Sequence, residues 1–153
     1  MNYWLMKSEP DTFGIDHLAK AKNQTSAWDG VRNFQARNFM REMQPGDLAF
    51  FYHSSCDIPG VAGVMKVVRE AYPDKTQFDP KNDHFDPESK ADKPRWYVVD
   101  VKLEEKFSRV IPLDELRSHS NGKLADMIVL KRGNRLSITP VTKSEWQFIT
   151  SLV

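Results

Sequence analysis

A chain of 153 residues, 40% hydrophobic and 28% charged, has room for one domain with a real core and lacks the composition of a disordered polymer. Its formal net charge of +1 excludes a cationic coat that binds nucleic acid indiscriminately, so any such affinity must come from local charge and a pocket. The single cysteine, Cys56, cannot form an internal disulfide, and neither a bilayer-spanning apolar run nor a signal-peptide pattern is present; the reading is a soluble, cytoplasmic protein without a membrane partner.

In chain order, Tyr3 to Met6 is a buried strand that ends near Pro10, where the ladder breaks. Ile15, Leu18 and Ala19 fall at helical spacing and predict a short amphipathic helix over Ile15 to Ala21. Ala27 and Trp28 close an extended segment before a turn at Gly30. Ala36, Phe39, Met40 and Met43 recur at i, i+3, i+4 and i+7 and predict a helix over Asn33 to Met43, which Pro45-Gly46-Asp47 terminates. Leu48 to Tyr52 and Val61 to Val68 are dense in aromatic and β-branched residues and predict core strands, with Gly60 and Gly63 permitting a close approach or a bulge.

The composition changes from about Tyr72 to Pro94, where Pro, Asp and Lys dominate and Phe-Asp-Pro occurs at Phe78 and again at Phe85. A strong strand resumes at Trp96 to Leu103, so this stretch is a long excursion within one domain, 1–153, with Phe78 and Phe85 as its anchors. A helical turn at Pro112 to Arg117, a strand at Arg135 to Val141 and a capping box, Thr142 to Glu145, leading into a terminal helix complete the chain. The expected architecture is α+β: a strand-rich meander forming a small mixed barrel with peripheral short helices. Without a G-x-G-x-x-G turn or an alternating βα rhythm, a doubly wound nucleotide-binding sheet is excluded.

Chemistry concentrates in Trp28 to Asn38. An aromatic plate, a Gly turn and a helix opening with Arg32, Asn33 and Arg37 are parts suited to a flat heterocycle attached to a phosphate. Trp28 reads as a stacking wall or a core tryptophan. Arg32, Arg37 and Arg41 read as phosphate clamps or a solvated helix face. Asn33 and Asn38 read as amides for a base edge; the alternatives are that Asn33 caps the helix and that mid-helix Asn38 takes a side-chain partner. Arg132, with Lys131 and Arg135, forms a basic turn that contacts phosphate or serves solubility. The histidines lack metal-ligand spacing, and no nucleophile signature surrounds Cys56, so no metal, no cofactor and no catalysis are expected.

Tyr3-Trp-Leu-Met-Lys-Ser-Glu-Pro10, Trp28-Asp-Gly-Val-Arg-Asn33, Ala36-Arg-Asn38, Pro45-Gly-Asp47, Pro94-Arg-Trp96 and Leu130-Lys-Arg-Gly-Asn-Arg-Leu136 together resemble the EVE domain family. That resemblance runs from the first strand to the last helix. It implies a PUA-like barrel, a distant similarity to YTH domains, and non-catalytic recognition of a modified base, such as 5-methylcytosine or 5-hydroxymethylcytosine, in nucleic acid. It further implies that Lys7, Ser8 and Trp28 border the pocket and that Arg32, Asn33, Arg37 and Asn38 lie on the helix beside it; Trp96 and Arg132 match more loosely. DNA and RNA both remain open as the partner, as does the oligomeric state. The competing readings are an RNA-binding module for a modified nucleotide, an enzyme acting on a nucleobase through Cys56 or His53, and a protein-interaction module.

Overall fold

Strand β1 (Tyr3–Ser8) is central to the sheet because it is apolar on both faces. The computed structural model, which describes residues 1–153, sets it between β3 (Leu48–His53), running parallel, and β6 (Ile138–Val141), running antiparallel. A parallel neighbour cannot be reached by a tight turn. The connection therefore carries α1 (Pro10–Phe13), α2 (Ile15–Lys20), β2 (Thr25–Ala27) and α3 (Phe34–Glu42). Strands β4 (Gly60–Pro73) and β5 (Tyr97–Pro112) continue the sheet antiparallel, and α4 (Leu113–Arg117) and α5 (Lys143–Thr150) follow. The strand order is β2-β5-β4-β3-β1-β6.

The fold is α+β, a six-stranded sheet with short helices, and it differs from the expected architecture in two respects. It is not a meander, because β1 pairs in parallel with β3. Nor is it a closed barrel: the outer strands β2 and β6, three and four residues long, never pair with each other. Alternation along the inner strands divides the core into two layers. Trp4, Met6, Ala49 and Phe51 pack on one face, while Leu5, Phe50 and Tyr52 pack on the other. This double burial is why these strands read as continuous apolar runs.

Several element boundaries follow hydrogen bonding rather than hydropathy. Strand β4 runs past its apolar stretch to Pro73 because its ladder to β5 continues, with Tyr72 opposite Val98. Strand β6 is shorter than the sequence suggests and begins at Ile138. Pro10, read as a strand breaker, also starts α1, since the first helical turn tolerates a missing N–H. At Gly60 a Cβ would collide with the Ile111 backbone, so the close approach of β4 to β5 requires glycine there. The excursion between β4 and β5 is anchored by polar groups, not by its phenylalanines. Phe85 is 38% exposed, whereas the fully buried Gln77 donates to the carbonyls of Asp74 and Trp96 and accepts from Ser89, Arg95 and Trp96.

Asp47, in the turn after α3, accepts from the backbone N–H of Asn2 and Gln44 and from the buried Trp4 indole, each at 3.1 Å. Asp47→Ala orphans all three donors and should cost about 2–4 kcal/mol in urea unfolding, with Asp47→Asn milder.

His53 Nε2 accepts the Ile15 N–H at 3.1 Å, which fixes the start of α2 and requires a neutral ring; burial holds the imidazole pKa below its ordinary value. The unfolded chain takes up this proton near about pH 6.5, the folded chain only at lower pH. The contribution is thus complete above that pH and is lost as pH falls through the folded pKa. Urea midpoints measured at about pH 7.5 and about pH 5.5 should fall further for the wild type than for His53→Gln.

Candidate functional site

A cavity of about 540 Å³ opens where the sheet fails to close. Lys7 and Ser8 at the end of β1 form one wall, and Ser26 and Ala27 of the edge strand β2 form another. Ser137, immediately before the opposite edge strand, contributes from the far side. Thr12 and Phe13 of α1, the turn from Trp28 to Arg32, and His84 of the excursion complete it.

Trp28 is both core and wall. Only 6% exposed, it packs edge-on against Phe51 at 5.3 Å and Phe13 at 6.2 Å, which leaves the indole no freedom to swing. Its Nε1–H has no acceptor in the protein, whereas the Trp4 and Trp96 indoles donate to Asp47 and Asp86. The Lys7 ammonium is also unpaired, lying 5.8 Å from the Tyr52 ring, and its pKa is lowered by burial. Asp29 is exposed at the mouth yet surrounded by protein, and burial, then the nearby Asp74 carboxylate, raise its pKa. Ser8 is engaged: its hydroxyl donates to the Phe13 carbonyl at 2.7 Å and closes the turn into α1.

The mouth is braced by Asp74, 1% exposed. Its carboxylate accepts from Gly30 N (2.9 Å), Arg32 Nη1 (3.0 Å), Thr76 N (2.9 Å) and Thr76 Oγ1 (2.6 Å). Burial alone would raise its pKa, but the bonds from Thr76, Gly30 and Arg32 outweigh burial and lower it. Gly30 has φ +80°, and a Cβ there would meet the His84 ring at 2.8 Å, so only glycine lets the turn pass beneath the imidazole.

The structure gathers Lys7, Ser8, Trp28 and Arg32 around the cavity and places the other sequence candidates outside its lining. Arg32 borders the mouth, but its guanidinium faces the excursion, donating to the carbonyls of Val31 and His84 and to Asp74 and Thr76. Asn33 is the N-cap of α3 and accepts from Ala36 N at 3.0 Å. Asn38 accepts two bonds from Arg37, whose guanidinium also donates to the Arg95 carbonyl and lies 4.8 Å over Phe34. Arg41 lies 4.9 Å over Tyr97. Trp96 stacks on Phe34 at 4.8 Å and donates to Asp86, away from the cavity. Arg132 is exposed in the turn leading toward Ser137. Sequence reasoning missed Asp29, Phe13 and His84 as lining residues. Asp29 had a usable signal, adjacency to Trp28; His84 had none. No group of three or more His, Cys, Asp or Glu side chains is arranged to hold a metal ion.

A cavity walled by rigid aromatic edges, with the Trp28 N–H and the Asp29 carboxylate beside it, has the shape and polarity that suit a flat polar ligand. The EVE domain model matches residues 2–152, and the chain belongs to the EVE domain family. It is 52% identical over 164 residues to thymocyte nuclear protein 1 of Danio rerio, covering 97% of this chain and 71% of that protein. A crystal structure of human THYN1 protein in complex with 5-methylcytosine-containing DNA matches with a TM-score of 0.95 at 48% identity, covering 99% of this chain and 97% of that one. The Mmi1 YTH domain, at 12% identity and a TM-score of 0.55 over 99% of this chain and 86% of its own, shares the fold alone. The vertebrate relative is named for the nucleus, which gives the cytoplasmic expectation no support. No helix is long and apolar enough to cross a membrane.

Arg32→Met leaves the Asp74 carboxylate buried without its cation. It should destabilise the protein by about 2–3 kcal/mol, and limited proteolysis should then cut first between residues 74 and 96.

Proposed function

We propose that this protein is a single, non-catalytic DNA-binding module that draws a modified cytosine, 5-methylcytosine or 5-hydroxymethylcytosine, into the cavity beside Trp28. The observation that carries this reading is one cavity in which the immobile edge of the Trp28 indole lies beside the exposed Asp29 carboxylate. Its volume of about 540 Å³ suits a nucleobase. A base within a duplex cannot reach a recess of this kind, so the nucleotide must leave the stack. The human relative described with 5-methylcytosine-containing DNA supports the choice of ligand, since it is similar over 97% of its chain.

The Trp28 N–H, which has no acceptor in the protein, donates to a ring acceptor of the base. Arg37 and Arg41, flat over Phe34 and Tyr97 on α3, and Arg132 in the turn before Ser137 are the candidates for flanking phosphates. Arg32 braces the mouth instead of clamping phosphate, because most of its donors are occupied. Binding is favoured over chemistry because the Ser8 and Ser26 hydroxyls of the lining donate to carbonyls and none of its hydroxyls is bonded to a histidine or carboxylate base.

Titration of DNA duplexes carrying 5-methylcytosine, 5-hydroxymethylcytosine or cytosine at one position tests the reading. One methyl in an apolar pocket is worth about 1–3 kcal/mol, so modified DNA should bind about 5- to 150-fold tighter. Trp28→Phe keeps the core filled but removes the indole edge and N–H, and should weaken binding of modified DNA about tenfold. Equal affinity for all three duplexes sinks the proposal, and tighter binding of a modified RNA would redirect it to RNA.

A further inference from the structure

The polar groups of the cavity differ in whether the protein already uses them. Ser8 and Ser26 donate to carbonyls, and the Arg32 guanidinium is directed into the excursion. Two carboxylates of the lining have no partner on another residue, Glu9 just before α1 and Asp29, and Asp29 is the one adjacent to the Trp28 wall. The Asp29 carboxylate has its own backbone N–H as its one hydrogen-bonding neighbour in the protein and makes no ion pair; the charges around it are the Asp74 carboxylate, His84 and Arg32.

That placement limits what can sit against Asp29. A phosphate is repelled by two neighbouring carboxylates, and a base carbonyl is repelled by the Asp29 oxygens as well. A neutral N–H donor is attracted, and its hydrogen bond offsets the partial desolvation reflected in the raised pKa of Asp29. Among the donors that a base offers, an exocyclic amino group is the one that projects from the ring. The 4-amino group of cytosine pairs with carboxylates in this way.

We propose that Asp29 is the cavity's acceptor for an exocyclic amino group and admits amino-bearing bases in preference to thymine. This rests on the base-binding reading above and adds a selectivity to it. 5-Methylcytosine and thymine carry the same methyl group and nearly the same outline; they differ in the amino and oxo groups at position 4 and in the proton at N3. A pocket that reads only shape and methyl cannot separate them, whereas Asp29 can.

The test uses the full chain and duplexes in which 5-methylcytosine, thymine or cytosine faces an abasic site, so that loss of a base pair does not enter. Wild type should bind 5-methylcytosine about ten- to a hundredfold tighter than thymine. Asp29→Asn, isosteric and at an exposed position, should bring that ratio to within about threefold while leaving the preference for 5-methylcytosine over cytosine intact. Equal wild-type affinity for 5-methylcytosine and thymine overturns the proposal, as does an unchanged ratio in Asp29→Asn. In either case a retained preference over cytosine leaves the base-binding reading standing, whereas absence of binding to every duplex overturns both.

Discussion

The buried Asp74 carboxylate is the constraint on which the site depends. It joins the turn at Gly30 to the start of the excursion, positions separated by 44 residues, through bonds from Gly30, Arg32 and Thr76. A charge at 1% exposure is tolerable only when its lone pairs are filled, so this geometry is all-or-none. Everything at the mouth inherits its position from it. The Gly30 turn aims Trp28 and Asp29, Arg32 reaches the His84 carbonyl, and Gln77 binds the Asp74 carbonyl and the Trp96 backbone into the same network.

The cavity exists because the sheet stays open. Strand β2 at one edge and the segment entering β6 at the other both contribute to its lining, and the end of β1 lies with them. A closed barrel would join such edges by hydrogen bonds and fill the space with side chains. Here Trp28 serves both purposes at once. Its packing on Phe13 and Phe51 belongs to the core, and that same packing makes the cavity wall rigid. A ligand entering such a site does not have to order it first, which removes one of the usual costs of binding.

On the outer surface the arginines are ordered by aromatic rings. Arg32, Trp96, Phe34 and Arg37 form a continuous stack with successive separations of 5.5, 4.8 and 4.8 Å. This explains why Phe34 remains 52% exposed without being loose. It also explains how α3 accommodates two arginines four residues apart: each guanidinium rests on its own ring, Arg37 on Phe34 and Arg41 on Tyr97.

Local physics was legible in the sequence. The apolar runs of β1 and β3, the helical spacing of Ala36, Met40 and Met43, and the Thr142 to Glu145 capping box each depend on residues a few positions apart. Lys7, Ser8 and Trp28, grouped by their motifs in the sequence, line one cavity, and the family match spans residues 2–152. Tertiary structure decided which strands meet in parallel, that the sheet remains open, and which polar groups are left unpaired. Arg32 looks like an anion clamp in the sequence, yet Asp74, 42 residues away, takes it. Asn33 and Asn38 look like base readers, yet one caps a helix and the other holds Arg37. His84 gave no sign of itself and lines the cavity. Residue type sets what a polar group can bond, but its partner depends on chain closure over tens of residues, which no local pattern encodes.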